Sequence, residues 1–195
     1  MVSSQEKILD YCLKNCVFDG WTHKLLENAC IANNLEPLHW KIYFPNGAID
    51  LVDCFIEHTN KEMATNVNLE GLRTHEKVRE CVKWRLQYNE NRKAAINSML
   101  KLCAQNPIRA TKANFKAVDA IWRLCGDKST DWNYYSKRML LAGVYNSTIL
   151  FWLNDNSPNH EKTWEFLDKR LVDVAKFGKG INELRQKISG LSPSF

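Results

Sequence analysis

The stretch Thr22–Phe55, THKLLENACIANNLEPLHWKIYFPNGAIDLVDCF, decides the fold. Thr22 stands where a side-chain oxygen caps a helix start, and the helix it opens runs through Leu35 with Leu25, Leu26, Ala29 and Cys30 turned inward. Pro37 opens a second, short helix. Pro45-Asn46-Gly47 spells a turn. Ile49, Leu51, Val52, Phe55 and Ile56 then stripe another helix to about Met63. A helix, a tight turn and a short second helix make a helix–turn–helix unit.

Helical spacing continues on both sides. Ile8, Leu9, Cys12, Leu13, Cys16 and Val17 mark a helix over 4–17, ended by Gly20-Trp21. Downstream the pattern predicts helices over 68–88 and 90–104, a break at Asn106-Pro107, and a helix over 110–125 that stops at Gly126-Asp127. Asp131 caps an eighth helix to about Asn154. Ser157 and Pro158 fit the N-cap and first turn of a ninth that ends at Gly178, and Gly180 sets off a last piece, 181–190. With eight glycines and five prolines in 195 residues and no convincing strand, the expected fold is all-α with about ten helices. Three parts are expected: a helix–turn–helix lobe over 1–64, a larger helical body over 65–178, and a short amphipathic helix with its tail over 179–195.

Seven cysteines, an odd number with no C-x-x-C pair, argue against a disulfide framework or a zinc knuckle and place most of them among apolar core residues. No apolar run reaches the length that spans a bilayer, and the N-terminus has neither the h-region of a signal peptide nor an Arg-rich presequence. The expected location is the cytoplasm, unless a presequence has been removed.

Charge bears on what the helix–turn–helix does. The net charge is +5, yet residues 1–65 carry five lysines, no arginine and nine acids, a balance of −4; the remainder carries +9. The layout resembles TetR-type repressors, with Tyr43-Phe44-Pro45 where their recognition helix ends. That resemblance implies a ligand-responsive repressor as one reading. The charge opposes it. The segment 36–44 sets Lys41 alone against Glu36 and exposes His39 and Trp40, where phosphate contacts should supply most of the affinity. No nucleic acid is the expected partner.

Catalytic motifs are missing. There is no Walker loop and no G-x-G-x-x-G. Helical di-iron sites need paired E-x-x-H motifs, whereas Glu36–His39 contains Pro37 and has no twin. His23 with Glu27 and His58 with Glu62 read as surface pairs. No enzyme, metal or cofactor is expected.

The function is carried by 118–174, VDAIWRLCGDKSTDWNYYSKRMLLAGVYNSTILFWLNDNSPNHEKTWEFLDKRLVDV. Between Met139 and Leu153 the only polar side chains are Asn146, Ser147 and Thr148, so apolar groups surround the helix. Such a helix must be covered on every side, by core, ligand or another chain. Trp164, Phe166 and Leu167 on the following helix complete either a pocket or an interface. Trp164, following Glu161 and Lys162, reads as core or as a rim anchor.

Val118-Asp119-Ala120-Ile121-Trp122, the block from Gly126-Asp127 through Asp131-Trp132-Asn133-Tyr134-Tyr135-Ser136-Lys137-Arg138, Trp152-Leu153-x-Asp155-x-Ser157-Pro158 and Thr163-Trp164-x-Phe166-Leu167 resemble the ubiquinone-biosynthesis accessory lipid-binding family. This is the TetR-like partner of the demethoxyubiquinone hydroxylase. The likeness is dense over 110–175 and looser before it. It implies a TetR-like homodimer that does not bind DNA, holds an isoprenoid quinone intermediate or a phospholipid, and docks the di-iron hydroxylase, which does the chemistry. By position it implies a partner-binding patch of Tyr145, Leu150, Phe151, Asp155 and Trp164, and a lipid pocket lined by Trp122, Leu141, Val144, Thr148 and Trp152. It also implies a C-terminal helix in peripheral membrane contact through Ile181, Leu184 and Ile188, flanked by Lys179, Arg185 and Lys187.

Overall fold

The computed structural model of the chain describes residues 3–130 and 132–189, with side chains described over 3–130 and 133–176. Among the described residues there are nine α-helices, short 3-10 turns and no strand. The helices are α1 (Ser4–Asp19), α2 (His23–Ala32), α3 (Trp40–Tyr43), α4 (Asp50–Asn66), α5 (Thr74–Tyr88), α6 (Lys93–Gln105), α7 (Pro107–Leu124), α8 (Trp132–Leu153) and α9 (Glu161–Ser189). They fall into two compact units, Met1–Asp131 and Trp132–Phe195, so the expected boundary near residue 64 lies inside the first.

In the first unit local chemistry sets the helix ends. Ser3 and Glu6 form a reciprocal capping box: the Glu6 amide donates to Ser3 Oγ at 3.2 Å, and the Ser3 amide to Glu6 Oε2 at 2.9 Å. α1 stops at Gly20, whose φ of 66° suits a residue without a Cβ. Thr22 Oγ1 accepts the Leu25 amide at 3.2 Å and starts α2 as expected. Ile8, Leu9, Cys12, Leu25, Leu26, Cys30, Phe44 and Leu51 are nearly inaccessible and form the core under α1, α2 and α4.

α7 packs closely along α4 because its inward face is made of small residues, Ala113 and Ala117, with Val118 and Ile121. Ion pairs flank the seam. Lys116 Nζ lies 2.8 Å from Asp53 Oδ1 and 2.9 Å from Glu57 Oε1, and Arg109 pairs with Asp50. Inside, the buried Arg85 of α5 donates to Asn60 Oδ1 of α4 at 2.6 Å.

Three expectations are corrected. Trp40 is buried, at 4% exposure, because its ring stacks on His23 with centroids 5.1 Å apart and fills the space at the start of α3. What α3 and its approach expose instead is Leu38 and Ile42. His58 does not turn to Glu62: its Nε2 lies 3.0 Å from the Tyr88 hydroxyl and its Nδ1 3.8 Å from Glu6. The helix begun at Glu161 does not stop at Gly178 or restart after Gly180; α9 continues to Ser189, since single glycines weaken a helix without having to end it. The expected capping residue Asp131 lies outside the described residues.

Candidate functional site

The second unit is a hairpin of α8 and α9. Its corner, 154–160, is built around one carboxylate. Asp155 Oδ1 accepts the Ser157 amide at 2.8 Å, the two-residue reach of an Asx turn. Its Oδ2 accepts the Thr163 amide at 2.9 Å and the Thr163 hydroxyl at 2.6 Å. Asp155 is buried, and burial alone would raise its pKa. The bonds from Thr163 and Ser157 outweigh that and hold the carboxyl well below the usual carboxylate range. Being ionised at the start of α9, it also faces the positive end of that helix.

Further hydrogen bonds brace the corner. Ser157 and Pro158 open a 3-10 turn rather than α9 itself, and Ser157 Oγ accepts the Lys162 amide at 3.2 Å. Asn159 and His160 take left-handed backbone, φ 50° and 56°, which turns the Asn159 carbonyl toward Trp164; the indole Nε1 donates to it at 2.8 Å. Trp164 is half-buried and its polar edge is spoken for.

Within its own chain α8 is covered on one face only. Arg138, Leu141, Val144, Tyr145, Thr148 and Trp152 form a buried face, with Trp152 at 0%. Thr148 keeps its hydroxyl satisfied by donating to the Val144 carbonyl at 2.7 Å. The opposite face is open to solvent at Tyr135, Met139, Leu150 and Phe151; Met139 is 72% exposed and Leu150 56%. The physical reason is geometric: a helix in a two-helix unit has one inward face, whatever side chains stand on the other.

At the corner end of that open face lies a groove of about 820 Å³, lined by Ser147, Leu150, Phe151, Asn154, Lys162 and Phe166 among others. The Phe151 and Phe166 rings stack at 4.6 Å with 10° between their planes, and Arg170 lies 5.5 Å from the Phe166 centroid. The groove offers aromatic faces and a Leu side chain, framed by amide and hydroxyl groups and one lysine. That composition fits a protein partner presenting an apolar side chain.

The expected residues divide between the two faces. Leu150, Phe151 and Asp155 line the groove, the last through its rim while its oxygens serve the corner. Tyr145 belongs to the buried face. Trp164 braces the corner. Leu141, Val144, Thr148 and Trp152 share the buried face of α8, whereas Trp122 is half-buried on α7 in the other unit. The backbone of Ile181, Leu184 and Ile188 belongs to α9, but their side chains lie outside the described residues. Thr163, Asn159 and Lys162 were not singled out; the Asp-x-Ser-Pro spelling at 155–158 was the available signal for a carboxylate-centred corner.

Among the described residues no group of three His, Cys, Asp or Glu side chains is placed to hold a metal, and no helix is long and apolar enough to cross a membrane.

Known proteins resemble this chain over the hairpin and beyond it. Residues 108–178 match the COQ9 family model. A probable ubiquinone biosynthesis protein coq9, mitochondrial, of Dictyostelium discoideum is 32% identical over 193 residues, covering 93% of this chain and 63% of that protein. The mitochondrial ubiquinone biosynthesis protein COQ9 of Rattus norvegicus is 28% identical over 93% of the chain and 62% of the relative, and that of Homo sapiens 27% over 93% and 60%. The chain is thus similar to COQ9 proteins over most of its length, and to the COQ9 family model over 108–178. It spans a little over three fifths of the length of these curated relatives. Among solved structures, a TetR transcriptional regulator from Nitrosomonas europaea superposes with a TM-score of 0.67 at 16% identity, covering 88% of this chain and 97% of that one. The fold is TetR-like.

Proposed function

We propose that the protein is a non-catalytic accessory factor of ubiquinone biosynthesis. It binds an isoprenoid quinone intermediate, or a phospholipid in its place, and presents it to a di-iron demethoxyubiquinone hydroxylase. The relatives' printed names support the pathway. The observation that carries the docking role is the groove at the hairpin corner. Leu150 and Phe151 stand exposed beside Phe166, on a corner tied by the bonds of Asp155 and Trp164. An apolar patch on a rigid frame loses little entropy when a partner covers it.

The buried face of α8, with Leu141, Val144, Thr148 and Trp152, is the lipid-facing side in this reading. Each buried methylene of an isoprenoid tail adds about 0.8 kcal/mol. The protein acts as a homodimer in peripheral contact with a membrane, with Ile181, Leu184 and Ile188 as its membrane side, in the mitochondrial matrix like the compartment its relatives are named for. Organic extraction of the purified protein followed by mass spectrometry tests the lipid role. Co-purifying isoprenoid or phospholipid is the expected result, and a protein that never takes up either refutes it.

The TetR-like fold favours one other reading, a ligand-gated repressor. Its operator-facing helix, however, presents Leu38 and Ile42 rather than arginines. A gel shift against random and palindromic duplexes at low salt separates the two: salt-sensitive binding supports the repressor, and its absence supports the accessory factor.

A further inference from the structure

Pro45-Asn46-Gly47, the turn between α3 and α4, holds the only Asn-Gly pair in the 195 residues. In such a pair the backbone nitrogen after the asparagine readily attacks the side-chain amide, because glycine has no side chain to shield it. The folded turn opposes that reaction. Asn46 is exposed, yet its Nδ2 donates to both oxygens of Asp50, at 3.2 and 3.0 Å, and its backbone amide donates to Asp50 Oδ2 at 2.8 Å. The Gly47 amide, which would be the nucleophile, donates to the Phe44 carbonyl at 2.8 Å. Asn46 has ψ 11°, which turns the Gly47 nitrogen away from the Asn46 side chain, whereas ring closure needs the two on one side. Gly47 is buried, and His23 packs so closely on it that a Cβ there would stand 3.0 Å from the imidazole Nε2. Asp50 is held in its turn from another helix, by Arg109 of α7.

We propose that Asn46-Gly47 is a conformation-gated deamidation site, a modification site that Asp50 keeps shut while Arg109 of α7 positions the Asp50 carboxylate. Asp50 ties down the group that must swing, and the bond to Phe44 occupies the group that must attack. Both are released together only when the turn opens locally, so the rate of the reaction follows the population of the open turn. Because the clamp on Asp50 comes from α7, the site reports on the α4–α7 seam. It lies in the first unit, and neither lipid nor hydroxylase enters its chemistry.

The step balances with water alone. The Gly47 nitrogen gives up its proton and bonds to Asn46 Cγ. The bond from Cγ to the side-chain nitrogen breaks, and that nitrogen leaves with the proton as ammonia. The cyclic imide then takes up one water at either carbonyl and opens to an aspartyl or an isoaspartyl residue at 46. Nothing is oxidised or reduced. Either product replaces a donor amide by a second carboxylate beside Asp50, and like charges at that distance repel. The isoaspartyl form also adds one backbone methylene to the turn between α3 and α4. The turn therefore cannot close as it did before, and the change is a lasting record that it opened.

The test incubates the full chain at mildly alkaline pH, folded and in denaturant, and follows each asparagine by peptide mass spectrometry, with Asp-N digestion to tell aspartyl from isoaspartyl peptides. In denaturant Asn46 should react ahead of the Asn-Ser pairs at Asn97, Asn146 and Asn156. In the folded wild type it should react more slowly than in denaturant by about tenfold or more. Asp50→Ala, with its helical circular dichroism retained, should recover most of that factor, and Arg109→Ala a smaller part of it. Asp50→Asn, which keeps the shape and loses the charge, takes the place of Asp50→Ala if that chain does not fold. Val82→Ala, a buried change on α5, is the stability control: at equal unfolding free energy it should leave Asn46 near its wild-type rate. A folded wild type that reacts at Asn46 as fast as the denatured chain, an Asp50 or Arg109 variant that stays at the wild-type rate, or a Val82→Ala chain that matches the Asp50 variant overturns the proposal.

Discussion

α3 and the corner end of α8 both expose apolar side chains, and they differ in what stands behind them. Leu38 and Ile42 lie on a four-residue helix and the turn before it. Leu150 and Phe151 lie beside a groove whose floor stacks Phe151 on Phe166 and whose corner is tied by Asp155 and Trp164. Scattered exposed apolar residues are ordinary in folded proteins. An apolar cluster on a frame with its own polar groups satisfied is what a docking surface requires. The fold is TetR-like, and the aromatic groove lies at the α8–α9 corner rather than beside α3.

The largest expected effect breaks the frame itself. Asp155→Ala removes the acceptor for three bonds and leaves buried donors unpaired, a cost of about 2–4 kcal/mol in chemical denaturation. A smaller loss would place the support of the corner elsewhere. Asp155 also gives this region a pH signature. Its folded pKa is depressed, so its contribution is fully present at neutral pH and above the unfolded value of about 3.9, and fades as pH falls below that. Asp155→Asn should flatten the acid side of the stability curve; an unchanged acid limb would contradict the assignment.

Next in size, Leu150→Lys or Phe151→Lys should weaken hydroxylase binding by about 2–4 kcal/mol, on the order of 30- to 1,000-fold; folding stability stays nearly unchanged for the exposed Leu150, while Phe151→Lys also loses its ring stack on Phe166. Trp164→Lys should weaken it too, with a measurable loss of stability, because the indole's bond to the Asn159 carbonyl goes with it. Comparing the two kinds of variant separates contact from bracing. At the small end, Ile42→Lys should shift stability by less than ~0.5 kcal/mol and leave hydroxylase binding as it was. If it weakens binding as Phe151→Lys does, the contrast between the two surfaces fails.

Sequence periodicity gave the helices and most of their ends, because caps such as Ser3, Thr22 and Gly20 act within one turn of chain. It failed where the deciding contact is distant or geometric. Trp40 looks exposed until His23 is brought over its ring. The composition of α8 says that it is apolar all round, but not which face meets its own unit. The continuation of α9 through Gly178 and Gly180 is beyond a rule that treats glycine as punctuation. For the candidate site, Leu150, Phe151 and Asp155 were legible from family likeness, while the part played by Thr163 depends on an eight-residue reach that no local pattern records.

The most direct test of the central claim is calorimetric titration of the full-length protein with the purified di-iron hydroxylase, wild type against Phe151→Lys, with helical content and extracted lipid measured on both. The account predicts saturable binding for the wild type and its loss in the variant at equal fold and lipid content. Equal binding by the two proteins would contradict it.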